Sequence, residues 1–224
     1  MIAGAQSVEY LQECMDAMRQ INCAGIAIHP SAMLQHQPYM LENLKSLNCP
    51  VVSIYRQLSG FNGIEIIVDE EQCVDLAVKH MVSLGHRRIA FAGVNADSVS
   101  NTLRYHGFCN SCTRLGLDYR QFPMLVFQDP FQIPNLKKYF SNPGRPTALV
   151  AVSEYHAFLA YDILTSLGLK VPEDVAIITL DGSSISAGME IPFTTVEFPA
   201  IELGEESARI LDELNTGALP ANSR

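Results

Sequence analysis

Two hydrophobic rhythms alternate along this chain almost from end to end. In 51–55, 147–152 and 175–180 the apolar residues run together, and each run is flanked by proline or polar residues. Elsewhere, 70–84 places Val74, Ala77, Val78, Met81 and Val82 at helical spacing, and 154–167 aligns Ala157, Tyr161, Leu164 and Leu167 on one face. The first rhythm predicts strands at 25–29, 51–55, 64–68, 88–92, 124–127, 147–152, 175–180 and 194–198. The second predicts helices at 7–20, 39–47, 70–84, 102–115, 134–140, 154–167 and 201–214. Gly85 supplies the left-handed residue that closes the third helix. Strands alternating with helices of this length need crossover connections and hence parallel pairing, and continuous apolar runs need cover on both faces. The pattern predicts an α/β fold. So many strands suit one broad sheet or two smaller ones, and both remain open at this level.

Composition narrows the function. The chain has 224 residues, 48% hydrophobic and 17% charged, enough for one large domain or two small ones. Its formal net charge of -9 argues against a phosphate-gripping surface, because that affinity comes from clustered Lys and Arg. Any DNA contact then falls to another domain. No apolar run approaches the roughly 20 residues of a membrane span, and 1–5 lacks the basic start of a secretory signal. The six cysteines are irregularly spaced, which favours reduced thiols and a cytoplasmic location. Cys109 and Cys112 form a C-x-x-C, yet they lie in a helical pattern with no second Cys/His pair at zinc spacing. They read as structural thiols rather than as a metal or redox site.

Motifs for catalysis are missing. No phosphate-binding glycine loop, no G-x-S-x-G elbow and no H-E-x-x-H occurs, and the histidines at 29, 36, 80, 86, 106 and 156 are scattered. The expectation is a non-enzyme with no cofactor and no metal. Asp69-Glu70-Glu71 reads as a helix cap with dipole compensation, and His80, His86, Arg87 and Arg88 as the matching cations of a helix end. What remains is a set of polar strand ends. Ser100, Asn101 and Arg104 follow the strand ending near Gly93, Ser153-Glu154 follow 147–152, and Asp181 follows 175–180. Ligands of open α/β sheets are met at the carboxyl ends of strands. Three such edges describe a site for a small polar ligand, with Arg104 offering a planar fork of donors.

These phrases, in this order, resemble the effector-binding core of the LacI/GalR family of bacterial transcription regulators. The likeness is carried by Leu84-Gly-His-Arg-Arg-Ile-Ala-Phe91, Arg104-Tyr-His-Gly-Phe108, Arg145-Pro-Thr-Ala148, Val171-Pro-Glu-Asp174, Asp181, Pro192-Phe-Thr-Thr-Val196 and Glu202-Leu-Gly204, spanning about 5–217. The resemblance implies a type I periplasmic-binding-protein-like core of two doubly wound parallel-sheet subdomains with a ligand cleft between them. It implies one subdomain of 1–94 plus 199–217 and another of 95–198. The core would be incomplete at both ends, and the family's DNA-binding domain would lie outside this chain. By the same likeness Arg104 and Asp181 stand where relatives hydrogen-bond the effector, Ser100 where a polar contact is common, and Phe131 where an aromatic stacks on a sugar. Ser153-Glu154 departs from the usual Asn-Asp, which puts a standard sugar mode in doubt.

The resulting expectation is a cytoplasmic effector sensor, homodimeric, that binds a sugar or nucleoside through Ser100, Arg104, Phe131, Ser153, Glu154 and Asp181 and so controls DNA binding elsewhere. The rival is an exported solute receptor of a sugar transporter, which shares the fold but needs a signal peptide. Six thiols and the repressor-type phrases weigh against it.

Overall fold

The computed structural model describes residues 8–21, 23–30, 37–93, 99–121, 124–126, 137, 139–182 and 192–219. The chain divides into two compact units, Met1–Val68 with Pro199–Arg224, and Asp69–Phe198. The second crossing lies at 198/199. The first falls at 68/69 rather than 94/95, and the packing described below shows why.

In the first unit, β1 (Ile26–Ile28), β2 (Val51–Tyr55) and β3 (Ile64–Ile67) pair in that order, all parallel. The helices α1 (Val8–Gln20), α2 (Gln37–Lys45) and α6 (Ala200–Thr216) belong to the same unit. Met15, Ile26, Ile28, Met40, Leu44 and Leu58 form its core. Residue Gly25 lies so close to Leu211 that a Cβ would come within 2.8 Å of it. The side chain of Asn215 also donates to the Ala24 carbonyl at 2.8 Å. The last helix is thereby fastened to the start of β1.

The second unit holds β4 (Ile89–Gly93), β5 (Leu125–Val126), β6 (Ala148–Ala151), β7 (Ala176–Gly182) and β8 (Thr194–Glu197) in the order β5-β4-β6-β7-β8. Every pairing is parallel. Its strands show why the sequence runs are continuous. Residues Phe91, Val150 and Ile178 point to α3 (Glu70–Ser83) and α4 (Val99–Arg114). Their neighbours Ala90, Leu149 and Ile177 point to α5 (Glu154–Ser166) on the other face. The first crossing follows from this. Strand β4 takes β5 and β6 as partners and α3 packs with Phe108 of α4, so 69–94 belongs to the second unit.

Local signals act as predicted. Asp69 caps α3 by accepting the Gln72 N–H at 2.9 Å. Gly85, at φ +93, lets the chain leave α3, with its own N–H on Val82 and the His86 N–H on Met81. Asp174 accepts the Lys170 N–H at 2.8 Å and meets Arg145 at 3.2 Å, which gives the Arg145 and Asp174 motifs a shared structural task before β6 and β7.

Gly107 marks a close approach of α4 to α3. A Cβ there would lie 3.1 Å from the Glu71 Cα, a backbone atom that cannot swing aside. Gly107→Ala should therefore push α4 off α3 and cost about 1–3 kcal/mol, despite the better helix propensity of alanine. Urea unfolding reads this, and an unchanged midpoint would show that the helices have slack.

Candidate functional site

The carboxyl edge of the second sheet gathers most of the polar residues singled out in the sequence. Arg104, on α4, is 9% exposed. Its Nε donates to the Glu70 carboxylate, and its Nη1 donates to the Val152 carbonyl at 2.7 Å. Glu70 opens α3 and is itself buried. The guanidinium thus joins two helices to the end of β6. In this structure it serves the protein's own carboxylate and carbonyl. Glu70 is more than dipole compensation.

Asp181 sits near the end of β7 and accepts the backbone N–H of Glu154 at 2.9 Å. It so satisfies a donor at the start of α5, which the preceding residue leaves unserved. That residue is Ser153, whose side chain makes no cap bond. Its Oγ lies instead 2.7 Å from His156 Nδ1. Burial pushes the Asp181 carboxyl up to about 6, against the opposing pull of the Glu154 N–H and Arg104. The Glu154 carboxylate adds to the rise. His156 is 5% exposed, and burial, then the Arg104 charge, hold its pKa below the ordinary value. The ring is therefore neutral near pH 7. Its Nε2 is buried and has no hydrogen-bond partner among the described residues.

Sequence reasoning read Glu70 as part of a helix cap and His156 as one of several scattered histidines. That both are buried depends on how α3 and α5 pack. Ser153 and His156 stand at the separation of a nucleophile and its base. The other ring nitrogen lacks an orienting partner among the described residues, the third element of a triad. Ser100 is helical within α4; Phe131 lies outside the described residues. What the edge presents is carboxylate acceptors at Glu154 and Asp181 with a neutral imidazole beside them, a set suited to ligand hydroxyls and amines.

The first unit carries a second polar cluster at strand ends. His29 follows β1 and stacks on Tyr55 at the end of β2, with centroids 4.7 Å apart and planes at 15°. The Arg56 guanidinium lies over the same ring at 4.8 Å. Tyr55 has φ 81, a conformation that a tyrosine adopts only under constraint. Burial and then Arg56 hold the His29 pKa down. The strand-end rule that selected Asp181 would also have selected these residues. A separate cavity of about 690 Å³ lies in the β2–β3 connection, where Glu65 accepts the Leu58 N–H at 2.5 Å.

Residues 78–224 match the family described as the periplasmic binding protein-like domain. The arabinose metabolism transcriptional repressor of Geobacillus stearothermophilus is 27% identical over 213 residues, 91% of this chain and 58% of that protein. The ribose operon repressor of Escherichia coli (strain K12) is 28% identical over 167 residues, covering 72% and 50%. Among solved structures, a LacI family transcriptional regulator from Enterococcus faecium with bound ribose superposes with a TM-score of 0.77. It is 26% identical, covering 96% of this chain and 78% of that one. The chain spans about half the length of the curated relatives it matches.

Two outcomes test the site's electrostatics. Glu70→Ala leaves a buried guanidinium without its carboxylate and should cost about 3–5 kcal/mol, measured by urea unfolding, with Glu70→Gln milder. Asp181 gives the second. The folded protein holds its proton more tightly than the unfolded chain, whose ordinary value is 3.8. Stability contributed by that proton is present below about 4 and is lost as pH rises to about 6. Asp181→Asn should abolish this slope and gain about 1–3 kcal/mol over wild type at pH 7. Parallel pH–stability curves for the two proteins would remove the assignment.

Proposed function

The chain belongs to the periplasmic binding protein-like domain family, and from that premise we propose that it is the effector-sensing part of a LacI/GalR-type transcription regulator. The observation that carries this reading is the polar cluster at one sheet edge, with Glu70, Arg104, Glu154 and His156 buried and Asp181 half-buried beside them. Buried ionisable groups are costly unless they are paired or used. Here the ion pair of Arg104 with Glu70 builds the platform, while Asp181, Glu154 and the unpartnered His156 Nε2 face the ligand. The names of the relatives, which include arabinose and ribose repressors and a regulator with bound ribose, support a sugar as the effector.

The sensor acts by population shift: the effector must bind two conformations of the chain unequally, and that difference alone sets the size of the response. DNA is contacted by a domain outside this chain, two copies pair to present it twice, and the protein works in the cytoplasm. No catalytic step and no cofactor is assigned. Among the described residues no helix is long and apolar enough to cross a membrane.

A thermal-shift screen over pentoses, hexoses, disaccharides and nucleosides tests the reading, since a ligand of the native state raises the melting temperature. At least one sugar should do so, and Asp181→Ala should abolish the shift while the protein stays folded. Hydroxyl donation needs the ionised carboxylate, so Kd should rise up to about tenfold per pH unit below about 6. A panel in which no sugar or nucleoside binds would overturn the proposal.

A further inference from the structure

The C-x-x-C that stands out in the sequence is not where thiols meet. Cys109 and Cys112 both lie on α4, and burial pushes the Cys112 thiol up to about 12. The pair in contact is one that the sequence separates by 26 residues. Cys23 Sγ and Cys49 Sγ are 3.9 Å apart in the first unit, and both are half-buried and reduced. Cys23 follows α1 and stands just before β1; Cys49 follows α2 and stands just before β2.

Their closeness follows from the sheet. Ile26 pairs with Val51 in the parallel register, and the Ile26 N–H donates to the Pro50 carbonyl at 2.9 Å. Running the register back, Ala24 faces Cys49 and Cys23 is its diagonal neighbour. A diagonal pair, across strands about 4.8 Å apart and offset by one residue of about 3.3 Å rise, has Cα atoms about 6 Å apart, within the separation a disulfide spans. The two chain segments are therefore held at bonding distance by backbone hydrogen bonds, independently of the sulfurs. Both thiols also line a surface cavity of about 270 Å³ with Met18, Arg19 and Leu47, which gives a small reagent access.

We propose that Cys23 and Cys49 are a redox modification site: a dithiol that a low-molecular-weight disulfide such as oxidised glutathione converts to an intramolecular bond. In the first step one cysteine thiolate attacks the glutathione disulfide, forms a mixed disulfide and releases one glutathione thiolate. In the second, the other cysteine thiolate attacks the protein sulfur of that mixed disulfide and releases the second glutathione. The two thiols lose two protons and two electrons, and the electrons leave on the two reduced glutathiones. Burial, and then the neighbouring Cys23, raise the Cys49 pKa, so the reaction quickens as pH rises toward the alkaline side. The bond ties the turn after α1 to the turn entering β2 and encloses β1 and α2 in one covalent loop.

The test is incubation of the full chain with oxidised glutathione, followed by denaturation, alkylation and non-reducing peptide mapping. Six alkylatable thiols should fall to four, with the peptides of Cys23 and Cys49 joined. The melting temperature should rise and should return to its starting value on adding dithiothreitol. Cys49→Ser should instead accumulate a glutathione adduct at Cys23, because no second thiol resolves it. Six thiols remaining, a bond between Cys109 and Cys112, or stable adducts on Cys23 and Cys49 in the wild-type protein would each overturn the assignment. None of these outcomes depends on what the sheet edge binds.

Discussion

Arg104 carries a permanent charge to a place that water scarcely reaches, and the second unit is organised around making that tolerable. A guanidinium so placed needs a carboxylate and well-aimed acceptors, or its desolvation is not recovered. Glu70 supplies the first from α3 and the Val152 carbonyl supplies another from the end of β6. Meeting both demands fixes α4 against α3 and sets both helices against one sheet edge. The close contact at Gly107, one turn along α4, is part of the same fit.

That fit has consequences for the neighbouring acids. Asp181 is spent partly on the α5 N-terminus, through the Glu154 N–H, and partly held in range of Arg104. Burial still wins, which leaves a carboxyl that changes charge near pH 6 rather than near 4. His156, with one nitrogen on Ser153 and the other unpartnered among the described residues, stays neutral for the same reason. The edge therefore offers acceptors and a neutral imidazole.

The first unit obeys the same geometry with other residues. Its parallel strands end at His29, Tyr55 and Arg56, an aromatic and cationic cluster rather than an acidic one, and Tyr55 is held at positive φ there. At the opposite ends of β1 and β2, the entering turns bring Cys23 to Cys49. Parallel pairing places like ends of neighbouring strands side by side, so residues far apart in the chain become neighbours at both ends of a sheet.

The sequence by itself determined most of the elements and which polar residues end the strands of the second unit. Apart from the helix expected at 134–140, most of which lies outside the described residues, the expected strands and helices agree with the described elements to within a few residues. They agree because parallel strands covered on both faces leave continuous apolar runs and amphipathic helices keep their period. Asp181 was legible because an acid directly after such a run must emerge at a strand end, and Asp69 and Gly85 because caps are local. Tertiary structure alone decided the partners. Periodicity says which face of α3 is apolar, yet not that Glu70 turns inward to meet Arg104. Nor does it say that 69–94 joins the second sheet, or that it is Cys23 and Cys49 whose thiols touch. Each of these depends on distances across elements, which are set by strand order, register and helix approach, and a one-dimensional pattern does not encode those separations.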